Sequence, residues 1–262
     1  MTAPLAIAND LSLRAFNTFG VEARARAYLP VSSIETLAAV RADAVLAAMP
    51  RLILGSGSNL LLTRDVDALV LHMQNRGIAV NGEDATHVFV CAQAGESWHG
   101  FVQWTLEQGL AGLENLSLIP GSVGAAPIQN IGAYGSEMAE CFHSLQAFDF
   151  ETGELLTLSR ADCAFGYRDS VFKHSLRDRA VIVDVTFALP KQWKPNLRYA
   201  ELAQEVAAIS DPSAMDISAA VIAALTAAQA GAQEAQLEEI VVTARQRAER
   251  IEAVPVTITA FT

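Results

Sequence analysis

The spacing of apolar residues predicts alternating helices and strands over the first 200 residues. Helical spacing runs from Ser32 to Ala48, with Ser32 or Ser33 as the N-cap, and again from Trp98 to Gln108. Short apolar runs predict strands at Arg51–Leu54, Ala68–His72, His87–Ala92, Leu145–Asp149, Leu155–Leu158 and Ala180–Ala188. This mixture predicts an α+β fold, with a β-α-β unit near residues 25–75.

Composition divides the chain near residues 190–215. The first 200 residues contain 15 of the 16 glycines, whereas residues 201–262 contain 17 alanines and a single aromatic residue, Phe261. Because a packed core needs large side chains, we expect this Ala-rich tail to be helical, loose or disordered. We also expect residues 215–262 not to pack against the rest of the chain.

Charge and cysteine content exclude several classes of protein. The net charge of −11 disfavours nucleic-acid binding, which usually needs a basic face. The three cysteines form no CxxC pair and indicate reduced, buried thiols in a cytoplasmic protein. The five histidines show no metal-binding spacing, so we expect no metal site.

The tail has an order of segments of its own. Residues 217–233 are uncharged and Ala-rich and end in Ala-x-Ala patterns, as in a signal peptide. The segments LEEIVVTAR (237–245) and VPVTITAF (254–261) follow, and the whole resembles the start of a TonB-dependent outer-membrane receptor. The alternative is an Ala-rich amphipathic helix followed by a frayed strand.

A glycine-rich turn follows the strand predicted at Arg51–Leu54. Its sequence, Gly55-Ser56-Gly57-Ser58-Asn59, presents consecutive backbone N–H groups that can bind a pyrophosphate. It lacks the third glycine and the following helix of a Rossmann motif. The alternative is a tight surface turn without a ligand.

A second glycine-rich segment occupies residues 109–135. Long irregular segments inside compact domains are usually functional, and small residues let the backbone approach a flat ligand. Gln129 and Asn130 supply donors and acceptors for the polar edge of a ring. The alternative is a purely structural loop.

A third segment, residues 163–173, places Arg168 between Tyr167 and Asp169. A fixed guanidinium in this setting can bind a carboxylate. The alternative is an ordinary surface pair between Arg168 and Asp169.

Together with Asn17-Thr18-Phe19-Gly20, these segments resemble, in order and spacing, the family of UDP-N-acetylenolpyruvoylglucosamine reductases over residues 12–202. The resemblance implies a vanillyl-alcohol-oxidase-type (PCMH) FAD-binding fold with subdomains at 12–75 and 76–200, followed by an unrelated tail at 201–262. It also implies that NADPH reduces FAD, and that FAD then reduces the enolpyruvyl UDP-sugar to UDP-N-acetylmuramate for peptidoglycan synthesis.

The resemblance also assigns site residues. It implies that Gly55, Ser56, Gly57, Ser58 and Asn59 bind the FAD pyrophosphate, and that Gln129, Asn130, Ile131 and Gly132 line the isoalloxazine ring. Arg168 matches the arginine that polarises the enolpyruvyl carboxylate, and hydride addition beside a carboxylate does build charge that a cation stabilises. Tyr134, Tyr167 and Tyr199 fall on the substrate side.

The family continues into a third domain, with a proton-donating serine in a GSFFKNP-like motif and a late glutamate. Neither motif occurs in these 262 residues, so we expect impaired turnover. Two alternatives stay open, a FAD-binding module without turnover and a fragment of a membrane receptor. We expect the main domain to be a cytoplasmic monomer that contacts neither membrane nor nucleic acid.

Overall fold

The computed structural model describes residues 5–227, whose strands form three sheets. The first sheet contains β1 (Ala8–Ser12), β2 (Arg24–Val31), β3 (Arg51–Leu54) and β4 (Val66–Met73). Its order is β1-β2-β4-β3, with β1 antiparallel to β2 and with β4 parallel to both β2 and β3.

The other two sheets are built from residues 78–190. Their strands are β5 (Ile78–Glu83), β6 (His87–Gln93), β7 (Gly132–Ala133), β8 (Ser136–Glu137), β9 (Phe142–Asp149), β10 (Leu155–Ser159) and β11 (Ala180–Pro190). The large sheet is antiparallel, in the order β10-β9-β11-β6-β5, and β7 and β8 form a small hairpin.

The helices are short. They are α1 (Ile34–Ala42), α2 (Ala44–Ala47), α3 (Trp98–Glu107), α4 (Arg160–Cys163), α5 (Ala200–Glu205) and a sixth, α6, over residues 214–227. The helix predicted from Ser32 to Ala48 is interrupted at Asp43, whose carboxylate accepts hydrogen bonds from the N–H groups of Val45 and Leu46. These two hydrogen bonds cap the N-terminus of α2, and α1 ends at the preceding residue, Ala42. None of the helices among residues 5–227 is long and apolar enough to cross a bilayer.

A shared apolar cluster joins the two large sheets. Leu37 and Val40 of α1 and Leu69 of β4 pack in the same buried cluster as Phe148 of β9 and Val183 of β11. Because these side chains are almost completely buried, the two halves of the chain have a continuous core at this junction. The junction fixes the relative position of the loops that leave β3 and α3.

The expectation that residues 215–262 do not pack is wrong for the part that the structure describes. Ile217 and Val221 of α6 are fully buried against Leu202 and Val206. The hydroxyl of Ser218 lies 2.7 Å from that of Ser117, so α6 is fastened to the glycine-rich segment. The segment that resembles a signal peptide, 217–233, therefore begins inside a packed helix, while residues 228–262 lie outside the described part.

Two of the three cysteines are less buried than expected. All are free thiols; Cys163 is buried, whereas Cys91 and Cys141 are half-buried. Burial raises the pKa values of Cys141 and Cys163 to about 12, so both remain protonated thiols at neutral pH.

Candidate functional site

The two glycine-rich segments meet in an open cleft of about 270 Å³. The residues that line it are Thr18, Gly55, Ser56, Ser58, His72, Met73, Arg76, Gly95, Ser97, Pro120, Gly121 and Ser122. The walls come from both halves of the chain, because the loop after β3 faces the segment that follows α3. A cleft of this size holds part of a dinucleotide rather than the whole molecule.

The loop Gly55–Asn59 forms one wall of the cleft. Gly55, Ser56 and Ser58 line the cavity, whereas Gly57 is buried beneath it and Asn59 is exposed outside it. The N–H groups of residues 56–59 donate none of the hydrogen bonds found within residues 5–227. The loop therefore offers unpaired N–H donors beside two serine hydroxyls.

Gly57 is required by the protein chain itself. Its φ is +66°, and a Cβ atom at this position would lie 2.0 Å from the carbonyl oxygen of Phe16. Its own carbonyl accepts a hydrogen bond from the N–H of Thr18. Phe16, Asn17 and Thr18 thus pack directly beneath the loop, so the close approach at Gly57 is to Phe16 rather than to a ligand.

Pro120, Gly121 and Ser122 of the second segment form another wall. The backbone N–H of Trp98 donates to Gly121 O, and the backbone N–H of Val123 donates to Glu96 O. These two hydrogen bonds attach this wall to the start of α3. Gly121 has a φ of +136°, and a Cβ added there would lie 3.6 Å from Ser58 Oγ. The two glycine-rich segments thus approach each other closely at this point.

The side-chain amide of Asn130 makes its hydrogen bonds to other protein atoms. It is 1% exposed and has a φ of +41°. Its Nδ2 donates to Glu137 Oε2 and to the Gly166 carbonyl, and its Oδ1 accepts from the N–H of Ala139. The expected contact of this amide with a ring edge does not fit that arrangement. Only the backbone of Asn130 remains for a ligand.

The neighbours of Asn130 differ in what they offer to a ligand. Gln129 is half-buried, and its side chain takes part in none of the hydrogen bonds found among residues 5–227. Ile131 is 7% exposed and packs in the main core. At Gly132 a Cβ would lie 2.8 Å from Ser136 O, because β7 and β8 pair there. Gln129 is thus the side chain of this group with polar atoms available.

Arg168 lies at the tip of a tight turn that contacts the second segment. Gly166 and Asp169 exchange backbone hydrogen bonds around it, and Arg168 has a φ of +54°. Its Nη2 donates to the Gly132 carbonyl at 2.6 Å. Lys173 donates to Arg168 O, and Ser170 Oγ donates to Ile128 O. These bonds hold an exposed guanidinium beside residues 128–132.

The three tyrosines fall into two environments. The rings of Tyr134 and Tyr199 meet edge-to-face, with centroids 5.1 Å apart, at the border of the cluster that contains α5 and α6. A hydrogen bond with Glu201 raises the pKa of Tyr199. Tyr167 is 86% exposed beside Arg168. The structure thus brings Tyr134 and Tyr199 together and leaves Tyr167 in solvent.

Sequence reasoning missed four side chains of the cleft. His72, Met73, Arg76 and Ser97 line it, but none belongs to a recognisable motif around its own position. His72 is near the end of β4 and Ser97 caps α3, so the folding of β4 and α3 onto the loops brings them to the site. The one available signal was that Arg76 lies in the short connection between two strands, β4 and β5.

A protein family described as "FAD binding domain" matches residues 25–159, which run from the second residue of β2 to the end of β10.

Relatives of known name match a longer stretch. The UDP-N-acetylenolpyruvoylglucosamine reductase of Burkholderia mallei (strain NCTC 10229) is 56% identical over 199 residues, covering 76% of this chain and 57% of the relative. The reductase of the same name from Dechloromonas aromatica (strain RCB) is 53% identical over 219 residues, covering 82% and 64%. The chain thus spans about three fifths of the length of these curated relatives.

Solved structures support the fold. The UDP-N-acetylenolpyruvylglucosamine reductase (MurB) of Thermus caldophilus matches with a TM-score of 0.61 and 24% identity, over 84% of this chain and 69% of that one. The cholesterol oxidase of B. sterolicum matches with a TM-score of 0.52 and 18% identity, over 72% and 40%. These likenesses and the family match confirm the α+β FAD-binding fold that the sequence predicts.

Proposed function

This chain belongs to the FAD binding domain family, and on that premise we propose that it binds FAD, with the pyrophosphate in the cleft between Gly55–Ser58 and Pro120–Ser122. The cleft is the observation that carries the proposal. It combines unpaired N–H groups, serine hydroxyls and glycines with space above them, and a diphosphate needs several such donors at close range. Ser56, Ser58 and Ser122 supply the hydroxyls, and Gly57 and Asn59 support the loop from outside the cavity.

We further propose that the chain serves the reduction of UDP-N-acetylenolpyruvoylglucosamine to UDP-N-acetylmuramate, a step in making peptidoglycan precursors. The identity of 53–56% to reductases of that name supports this activity. Bound in this cleft, FAD would supply the hydride transfer from NADPH to the double bond of the substrate. The protein's contribution is to bind both molecules and to stabilise the charge that develops.

Arg168 has the role of carboxylate ligand in this proposal. Its guanidinium is fixed at a tight turn, and one nitrogen is held by Gly132 O. The remaining N–H groups are available to the enolpyruvyl carboxylate, whose negative charge grows as hydride adds to the far carbon of the double bond and the electron pair moves towards the carboxylate. Residues 129–132 lie along the ring of the flavin, with Asn130 as the internal support. Tyr134, Tyr167 and Tyr199 face the sugar nucleotide, and the chain acts in the cytoplasm as a monomer.

A second candidate is a FAD-binding module without turnover. The observation that favours it is the family match over residues 25–159, whose description names FAD binding alone. Both candidates require the same cleft, so they differ in catalysis and not in cofactor.

The test separates cofactor binding from turnover. The full chain is titrated with FAD, and we expect the flavin spectrum of a bound cofactor. If the folded protein takes up no FAD in excess cofactor, the proposal fails altogether. The loaded protein is then mixed anaerobically with NADPH and the enolpyruvyl substrate. UDP-N-acetylmuramate that forms in the wild type and is lost in R168Q supports the reductase, whereas bound FAD without product supports the module.

A further inference from the structure

We propose that His72 and Arg76 form a second anion-binding wall of the cleft and that both side chains bind the diphosphate of FAD. This inference rests on the proposed function, which requires FAD in the same cleft. Neither residue belongs to the glycine-rich segments. They come from the end of β4 and from the turn that follows it.

The charge of the cleft is the first argument. Among its twelve lining residues, the only titratable side chains are those of His72 and Arg76, and none is a carboxylate. The chain as a whole has a net charge of −11. Arg76 places a positive charge in a cleft whose lining residues include no acid. Because the chain as a whole is negatively charged, this positive charge makes the cleft suited to a phosphate group.

The hydrogen-bond network around His72 favours a proton on Nε2. Gln74 Nε2 lies 3.2 Å from His72 Nδ1, and Tyr28 Oη lies 2.6 Å from the same nitrogen. We assign Nδ1 as the acceptor, with the Tyr28 hydroxyl and the Gln74 amide as donors, so the neutral imidazole carries its proton on Nε2. Because His72 lines the cleft, Nε2–H is the donor that remains for a ligand.

The ring of His72 is also held rigidly. Phe16 and Tyr28 contact it edge-to-face, with centroids 5.3 and 5.8 Å away. Burial and the charge of Arg76 lower the pKa of His72, which keeps the ring neutral at neutral pH. A neutral donor with a fixed orientation binds a phosphate oxygen without loss of rotamer freedom.

Arg76 is oriented by a neighbouring carboxylate that is itself occupied. Glu96 accepts from Arg76 Nη1 at 3.3 Å with one oxygen and from the Gly77 N–H at 2.7 Å with the other. Glu96 is only 19% exposed, whereas Arg76 is 59% exposed. One edge of the guanidinium is thus anchored, and its other N–H groups reach the solvent in the cleft. A guanidinium that is oriented in this way can donate several hydrogen bonds in one plane to phosphate oxygens.

The experiment compares FAD affinity in matched variants of the full chain. R76Q removes the cation of the cleft, and R26Q removes an arginine of similar exposure, 62%, paired at 3.1 Å with Asp67 outside the cleft. We expect R76Q to bind FAD about 10-fold more weakly, because it loses the charge-assisted hydrogen bond from the guanidinium to the diphosphate, and one such bond typically contributes about this factor to affinity. R76K should restore part of the affinity and R26Q should match the wild type.

Two further measurements separate the proposed contact from a merely structural effect. The dissociation constant should depend less steeply on salt in R76Q than in the wild type, because one ionic contact is missing. H72F, which keeps the aromatic ring but has no donor, should weaken FAD binding about 5-fold, whereas H72Q retains a donor and should lose less. Circular dichroism confirms that each variant is folded.

The outcomes distinguish this inference from the proposed function. If the wild type fails to bind FAD, the proposed function is wrong. If the wild type binds FAD but R76Q and H72F bind it as tightly as R26Q does, with an unchanged salt dependence, the cleft binds FAD without this wall and the inference is wrong. A selective loss in R76Q and H72F supports it.

Discussion

Arg168 Nη2 lies 2.6 Å from the carbonyl oxygen of Gly132, so the candidate catalytic turn is bonded to the segment proposed to line the flavin. Two more bonds join the same pair of segments, from Asn130 Nδ2 to Gly166 O and from Ser170 Oγ to Ile128 O. The guanidinium and the backbone proposed to face the flavin thus form one hydrogen-bonded unit. A substitution that moves either segment should therefore also move the other.

The first prediction concerns Asn130. N130G removes the three side-chain hydrogen bonds but tolerates the left-handed backbone, so it isolates the contribution of the amide. We expect the free energy of unfolding to fall by about 3 kcal/mol, because buried partners lose their hydrogen bonds. Chemical denaturation measures this.

Asp211 supplies the matched control, since it also has a positive φ, +57°, but is exposed. D211G should leave stability unchanged or raise it slightly, because glycine relieves the backbone. Equal effects of N130G and D211G would contradict the role assigned to the Asn130 amide.

The second prediction compares two glycines with nearly the same backbone. Gly57 and Gly20 have φ values of +66° and +61°, but a Cβ at Gly57 meets Phe16 O, whereas nothing lies within 4 Å of one at Gly20. G20A should cost about 1 kcal/mol from the backbone alone. G57A should cost about 3 kcal/mol or more, since the loop must move, and FAD affinity should fall with it. Similar unfolding free energies for the two variants would refute the steric argument.

The third prediction concerns acid stability. Arg179 donates to both oxygens of the buried Asp149 and holds the pKa of that carboxyl down to about 2, from an ordinary value of 3.8. The folded state therefore favours the charged carboxylate. The resulting stabilisation is complete above pH 3.8 and is lost as the pH falls towards 2.

R179Q should abolish this stabilisation and shift the acid unfolding midpoint upwards. The exposed pair of Arg177 and Asp178, 3.6 Å apart, provides the control, and R177Q should unfold at the wild-type pH. Unfolding followed by circular dichroism between pH 2 and 7 checks both variants. A shared midpoint for all three proteins would show that the Asp149 pair does not govern acid stability.

The fourth prediction concerns the packing of α6. V221D places a carboxylate in a buried apolar cluster, which should detach the helix. M215D changes a residue of the same helix that is 46% exposed, and it should have little effect. Limited proteolysis should therefore cut V221D rapidly within residues 207–213. Comparable digestion of the two variants would mean that α6 does not depend on this contact.

Local signals explain which elements could be predicted. The strand Arg51–Leu54 was predicted with its observed bounds, because Pro50 and Gly55 delimit an apolar run. The strand β2, with the sequence RARAYLPV, was missed because its arginines interrupt the apolar pattern although alternate positions are buried. The lack of a helix after the glycine-rich turn was predicted correctly, since residues 60–65 are irregular.

Tertiary contacts explain what could not be predicted. The composition of the tail suggested weak packing, but Ile217 and Val221 lie one turn apart and meet an equally spaced pair, Leu202 and Val206. Four well-placed side chains suffice, and the alanines between them allow close approach. His72 likewise has no sequence signal, since its place in the cleft depends on contacts with Tyr28 and Gln74.

The position of the cleft has a consequence for thermodynamic linkage. Its walls belong to opposite sides of the junction where α1 and β4 meet β9 and β11, so a molecule bound between them must be released before the junction opens. Such a ligand suppresses opening by RT ln(1 + [L]/Kd), about 2.7 kcal/mol at a hundredfold excess over Kd. The cofactor would then hold the two sides of the junction together for as long as it is bound. Protection of the junction amides from hydrogen exchange would rise with the concentration of the cofactor.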